Sequence, residues 1–440
     1  MFLFEQDIGS CNCWEFELMQ KGDVKALEAK IKDDDLLKLF IDLVAFDTRA
    51  DFTSQDKPSS IGQLRLGARL LNLLSNLKLK PIQTKEGVII AKVPATQGYE
   101  NKERLCLLAH LDTAPDASGA NVKPALVEKY KGNGIELASG DVIDHEISPE
   151  LANHLGEDIV VTDGTTLLGG DDKAGIAVLM HLVERLVDDR VVHGPITIVF
   201  SVDEEIGRST KYLDLDVIDC DFAVTVDGCE RGELDVATFN AEGAKIIFKG
   251  KVVHTAVACG KLKNALKMAA DFINRLPEEE APETTEGRQG FYHVHDVMGN
   301  VEQAELMMIL RDFEKEGLEA RHLFVESLVD EINAKYGINS CEAIFVKQYE
   351  NMETVLKEHP KIVNYCRQAF ERANIPLSEM YVRGGTDGAN LSCRGLPCPN
   401  IFAGPLNCHG IYECLPVPNL HASFEVTKAL VECVALGEDK

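Results

Sequence analysis

The stretch Leu108-Ala109-His110-Leu111-Asp112-Thr113 closes an apolar run with a histidine and an aspartate two residues apart. Successive strand side chains alternate faces, so positions i and i+2 project to the same side. His110 can therefore meet a metal while Asp112 stands behind it. Comparable runs end on acidic clusters further along, at Gly169-Gly170-Asp171-Asp172-Lys173-Ala174-Gly175, Val202-Asp203-Glu204-Glu205-Ile206-Gly207 and Thr225-Val226-Asp227-Gly228. A late histidine stands in Asn407-Cys408-His409-Gly410. The recurrence points to a metal site built from distant parts of the chain.

The runs themselves suggest how these parts meet. Gly87–Val93, Arg104–Ala109, Pro195–Val202 and Cys220–Val226 have strand length and are rich in Val, Ile and Leu. Asp34–Ala45, Ile61–Leu77 and Ala174–Leu186 carry apolar residues at helical spacing. Alternation of the two predicts an α/β fold with a mostly parallel sheet, and in open α/β sheets ligands bind outside the carboxyl ends of the strands. The acidic clusters sit at those ends. From about Asn240 the character changes. Strands at Ala244–Lys249, Gly290–Val297, Glu305–Arg311 and Glu342–Val346 flank helices near Leu262–Arg275 and Phe313–Lys335, around a solvated acidic loop at Pro277–Glu286. This predicts an inserted α+β domain at residues 240–347, between parts of the first domain at 1–239 and 348–440. Helices at Ile362–Ala373 and Ser423–Glu432 mark the return to the first domain. Residues 1–30, with Cys11, Cys13 and Trp14, read as an extra segment.

Composition narrows the function. The 440 residues carry 72 acidic and 45 basic side chains, a formal net charge of −27, which repels polyanions and makes nucleic acid or an acidic membrane surface a poor partner. No run approaches the ~20 apolar residues of a membrane helix. The start Met1-Phe2-Leu3-Phe4-Glu5-Gln6-Asp7 has acids where a secretory signal has bases. Thirteen cysteines at irregular positions lack the paired spacing of a structural zinc site. A reducing cytoplasm is the economical expectation.

Taken as ligands, two histidines and several carboxylates suffice for two divalent ions sharing a carboxylate and a water, with zinc the expected metal. The same clusters, with Thr162-Asp163-Gly164-Thr165-Thr166-Leu167-Leu168-Gly169, Phe291-Tyr292-His293, Ile309-Leu310-Arg311-Asp312-Phe313 and Arg383-Gly384-Gly385-Thr386-Asp387-Gly388-Ala389, resemble the co-catalytic zinc peptidase and aminoacylase family. The likeness is greatest to its peptidase T branch, aminopeptidases acting on tripeptides, and covers nearly the whole chain. It implies that His110, Glu205, Asp227 and His409 coordinate the two metals with Asp171 bridging them, that Glu204 is the general base, and that Asp112 orients and polarises His110. It also implies that His254 contacts substrate or stabilises the oxyanion, and that Asn264 and Arg383 hold the substrate backbone or its carboxylate. Asn264 reads equally as a helix cap, and Arg383 as a partner of a nearby acid.

One departure is clear. Where the family pattern resembles His-Pro-Gly-Thr-Ala-Lys, this chain has His254-Thr255-Ala256-Val257-Ala258-Cys259, losing a turn-forming Pro-Gly pair and a cation. The resemblance implies an enzyme that releases the amino-terminal residue from short peptides, through a water activated between two zinc ions. It also implies that residues 240–347 are a lid domain interrupting the catalytic domain, and a homodimer through that lid is compatible with it. The competing expectations are another amidohydrolase of the family, a dipeptidase or an N-acyl-amino-acid deacylase, and a catalytically silent peptide-binding protein. Retention of Glu204, which a binder does not need, argues against the last.

Overall fold

In the computed structural model, residues 19–188 and 190–437 are described. The first part of the expected amino-terminal segment, with Cys11, Cys13 and Trp14, lies outside them. Its remainder is built into the fold. Gln20–Lys21 pairs in parallel with Ile135–Glu136, and the short helix Val24–Lys30 is capped by Asp23, whose carboxylate accepts from the Lys25 N–H at 2.7 Å.

An eight-stranded sheet organises the first unit. Its spatial order is Ser378–Val382, Glu233–Thr238, Asn400–Phe402, Phe222–Gly228, Leu105–His110, Ile196–Ser201, Ile89–Val93 and Ile82–Gln83. The four central strands run parallel, while Ile89–Val93 lies antiparallel to its neighbour. Leu105–His110 and Ile196–Ser201 are buried along their whole length, as apolar runs covered on both faces must be. Helix Asp35–Val44 begins under an Asp34 cap and buries Leu36, Leu37, Phe40, Leu43 and Val44, an apolar stripe at three- and four-residue steps. Helices Gly170–Val187 and Val417–Leu436 complete the same core. Expected strand and helix positions agree with those observed to within a few residues, apart from the last helix. That one starts at Val417, six residues early, with Pro418 in its first turn, where a missing N–H costs nothing.

The second unit is a separate antiparallel sheet, ordered Phe291–Gly299, Gln303–Asp312, Asn240–Lys249 and Cys341–Tyr349. Helices Ala265–Ile273 and Lys315–Tyr336 cover one face around Ile246, Phe248, Phe272, Leu306 and Ile332. Within the expected loop at Pro277–Glu286 the chain makes two short 3₁₀ turns, Glu278–Glu280 and Pro282–Thr284. The two places where the chain passes between units are clasped together. The Asn351 N–H donates to Asn240 Oδ1 at 3.0 Å, the Thr238 N–H donates to Asn351 Oδ1 at 3.0 Å, and both asparagine amides donate to the Phe313 carbonyl. Phe239, Phe291 and Phe313 form a small aromatic cluster beside this clasp. Among the described residues no helix is long and apolar enough to cross a membrane.

Candidate metal centre

His110 ends its strand and is buried. Its Nδ1 lies 3.1 Å from the Asp112 carbonyl and 3.5 Å from Asp112 Oδ1. Its Nε2 faces Asp171 Oδ1 at 2.8 Å and Asp227 Oδ1 at 3.2 Å. Across the same aspartate, His409 Nε2 lies 3.2 Å from Asp171 Oδ2 and 3.1 Å from Glu205 Oε2. The two oxygens of Asp171 therefore face two different histidines, and each histidine has a second carboxylate of its own. The triads are His110, Asp171 and Asp227, and His409, Asp171 and Glu205.

Each ligand candidate is held by its local structure. Asp112 accepts the backbone N–H groups of Glu204 and Glu205, both at 3.0 Å, so it ties the end of one strand to the turn after the next. Asp203, buried at φ 57°, anchors that turn by accepting from Ser59 and Gln63. Asp172 caps its helix by accepting from the Gly175 N–H and also receives the His110 N–H. Asn400 Oδ1 accepts from the Asp227 N–H at 3.1 Å. His409 sits between the bridge partners Leu406 and Cys414 with φ 69°. A non-glycine residue in the left-handed region is uncommon, and such residues cluster at functional sites.

The electrostatics call for cations. Five carboxylates, from Asp171, Glu204, Glu205, Asp227 and Asp387, line one cavity of about 410 Å³ together with His110 and His409. Burial pushes Glu205 and Asp227 each up to about 7. It also raises Glu204 well above the carboxylate range, with Asp387 adding to the effect. Hydrogen bonds to Asp171 and Glu205 raise His409 to about 11. Burial alone would lift Asp171 too, but His110 and His409 more than reverse it and hold it low. Glu205 Oε1 is buried with no hydrogen-bond partner, an arrangement whose cost a ligand contact removes. Oxygen and imidazole donors without thiolates suit divalent ions such as zinc, and the residues present fit such ions.

Of the remaining expected residues, none lines this cavity. His254 is exposed on the second unit, its Nδ1 accepting from the Ala256 N–H at 3.2 Å. Asn264 caps helix Ala265–Ile273 through the Leu266 N–H at 2.9 Å. Among the described residues Arg383 pairs with no acid. Its guanidinium donates to the Gly287 and Gln289 carbonyls and to Thr285 Oγ1, and packs against Phe239 and Phe291.

Other residues escaped the sequence analysis. Tyr349 lines the cavity, and the buried Arg311 lies 5.4 Å from its ring centre. Arg311 was visible only as part of Ile309-Leu310-Arg311-Asp312-Phe313, and its alternation in a strand would have given its face. Glu413 is fully buried and accepts three backbone N–H groups, from Leu168 and Gly169 at 2.7 Å and from Asp171 at 3.1 Å. Asp387, the first residue of the helix capped by Thr386, lines the cavity and accepts from Ser201 and Ser209.

A parallel α/β sheet with paired histidine and carboxylate triads at its carboxyl edge defines a metallohydrolase type of site. The family model described as Peptidase family M20/M25/M40 matches residues 163–432, and the chain belongs to that family. Peptidase T of Vibrio parahaemolyticus is 40% identical over 403 residues, 91% of this chain and 98% of that protein. Peptidase T of Caldanaerobacter subterraneus is 38% identical over 400 residues, 90% and 98% respectively. Among solved structures, aminopeptidase PepT from Bacillus cereus superposes with a TM-score of 0.71 at 22% identity, covering 91% of this chain and 98% of its own. A tripeptidase from Staphylococcus aureus gives 0.71 at 20% identity with the same coverage. These two structures share the fold.

Proposed function

We propose that this peptidase is a cytoplasmic two-zinc aminopeptidase that removes the amino-terminal residue from short peptides, tripeptides first. The observation that carries the proposal is Asp171, whose two oxygens face two histidine–carboxylate pairs on a cavity that also presents Glu204. When bound there, a pair of divalent ions polarises the scissile carbonyl and makes a water acidic enough to attack it near neutral pH. His110, Asp171 and Asp227 would hold one ion; His409, Asp171 and Glu205 the other. Asp112 orients His110 by holding its Nδ1, as partners behind a ligand histidine do. Glu204 Oε takes the proton of the attacking water and returns it to the leaving amine. Closure of the second unit brings His254 toward the substrate oxyanion and excludes water. The relatives, Peptidase T, aminopeptidase PepT and a tripeptidase, support the reaction and the substrate.

The altered segment after His254 bears on length selection. Without a cation at position 259 one charged anchor for the peptide is absent. A charge-assisted hydrogen bond is worth ~1.5–3 kcal/mol, so discrimination by length weakens by ~10–150-fold. Comparing kcat/KM for free and acetylated peptides two to four residues long tests the proposal on zinc-loaded protein. Free tripeptides are expected to be best, with a relaxed length limit, and acetylation is expected to suppress cleavage. Faster hydrolysis of acetylated substrates would overturn it in favour of a deacylase.

A further inference from the structure

Two cysteines stand directly beside the candidate metal ligands. Cys229 follows Asp227 by two residues, and Cys408 immediately precedes His409. Their sulfurs lie 3.9 Å apart although the residues are 179 positions apart in sequence. Cys229 is exposed and Cys408 half-buried, so a small oxidant reaches the pair from solvent. The carbonyl of Gly228, between Asp227 and Cys229, accepts the Ala403 and Gly404 N–H groups. Both cysteines are thus anchored on neighbouring stretches of backbone. One of these carries Asp227 of the first triad and the other carries His409 of the second.

We infer that Cys229 and Cys408 form a reversible disulfide that deforms the two-metal site when the surrounding thiol pool is oxidised. The inference rests on the two-metal reading above. With a low-molecular-weight disulfide as oxidant, the exposed Cys229 thiolate attacks one sulfur and releases one thiol, leaving a mixed disulfide. Cys408 then attacks Cys229 Sγ and releases the second thiol. One external S–S bond is lost, one internal bond is gained, and the two cysteine protons leave with the released thiols or to water. A disulfide needs its sulfurs ~2.05 Å apart, so the bond closes the 3.9 Å gap by roughly 2 Å, divided between rotation of the two side chains and movement of the His409 loop and the Asp227 strand end. Metal sites tolerate displacements of only a few tenths of an ångström in ligand distance. A second neighbouring pair, Cys106 and Cys220, is less accessible, because Cys106 is fully buried in the sheet.

The test uses the full chain, zinc-loaded, titrated with oxidised glutathione. Non-reducing peptide mapping is expected to recover the Cys229 and Cys408 peptides linked to each other. The oxidised protein is expected to hold zinc ~10–100-fold less tightly in a chelator competition, the usual effect of disturbing the groups around a metal ligand. Dithiothreitol should restore it. Cys229→Ser should keep metal and peptidase activity when reduced and should not respond to glutathione disulfide. Absence of the linked peptide, or a bridge at Cys106 and Cys220 instead, would overturn the assignment, as would equal zinc loss in wild type and Cys229→Ser. A reduced protein that binds no zinc would sink the two-metal reading and the coupling together, whereas the bond itself stands or falls on the peptide map.

Discussion

Glu204 and Glu205 are adjacent in sequence, and Asp112 receives both their backbone N–H groups. Their side chains nonetheless have different neighbours. Glu205 contacts His409, whereas Glu204 feels the charge of Asp387 and lies near Tyr349. Replacing Glu204 by Gln keeps shape and removes the proton acceptor. Turnover is expected to fall by ~10²–10⁴, the worth of a general base, with metal content unchanged by elemental analysis. His409→Ala is expected to behave oppositely, losing one of two metals per chain on the same assay. Glu204 and Glu205 were legible in the sequence because they end an apolar run; His409 ends none, and its role came only with the resemblance. Tyr349 and Glu413 were not legible, since a single tyrosine or glutamate in a short segment carries no spacing that sets it apart.

At the scale of elements, the segment Leu168–Asp171 is where structure spends most on the site. Three N–H groups, those of Leu168, Gly169 and Asp171 at and just before a helix start, converge on the buried Glu413 carboxylate, which so satisfies groups the helix itself leaves without a partner. Burial pushes that carboxyl up to about 7, against the pull of the backbone donors. Glu413→Gln offers one acceptor oxygen in place of two, so Asp171 is expected to lose its fixed position and zinc affinity to drop by ~10–100-fold, read by chelator competition while the fold is monitored by circular dichroism. The long strands were predictable from their apolar runs. Asn400–Phe402 was not, because three residues carry no periodicity, and Ser378–Val382 was not, because it is an edge strand with mostly exposed side chains. The residues expected to meet substrate, His254, Asn264 and Arg383, came from resemblance alone, and the helix that Asn264 caps shows how a polar residue can serve a local need instead.

The whole molecule depends on buried charge at a second place, away from the metals. His154 is fully buried between Glu157 Oε2 at 2.7 Å and Glu230 Oε2 at 3.1 Å, joining the 149–161 region to the turn after strand Phe222–Gly228. Burial lowers the imidazole, but hydrogen bonds to Glu230 and Glu157 outweigh it and raise it above 6.5. Burial likewise raises Glu230, and His154 more than reverses this, holding it below 4.5. The raised histidine contributes stability that is complete below pH 6.5 and is lost as pH climbs through its folded value. The lowered glutamate contributes above pH 4.5 and loses its share as pH falls through its own. His154→Gln is therefore expected to lower the unfolding temperature most between pH 4.5 and 6.5, with the deficit shrinking in alkali, measured by scanning fluorimetry. Removing metal with a chelator should also lower that temperature, because ions that bind only the folded chain stabilise it.

The clasp of Asn240 and Asn351 has a topological meaning. Entry and exit of the second unit are hydrogen-bonded side by side, so everything between them is a cassette joined covalently to the rest at one place, with Arg383 as a further non-covalent tie to Thr285, Gly287 and Gln289. No strand of the eight-stranded sheet originates inside it. Such a cassette can be exchanged between scaffolds without rethreading the sheet, and a replacement must bring its own aromatic seat for Phe239, which otherwise faces water. Variation in what the enzyme accepts can then arise by swapping this one module, while the metal chemistry beneath it is inherited intact.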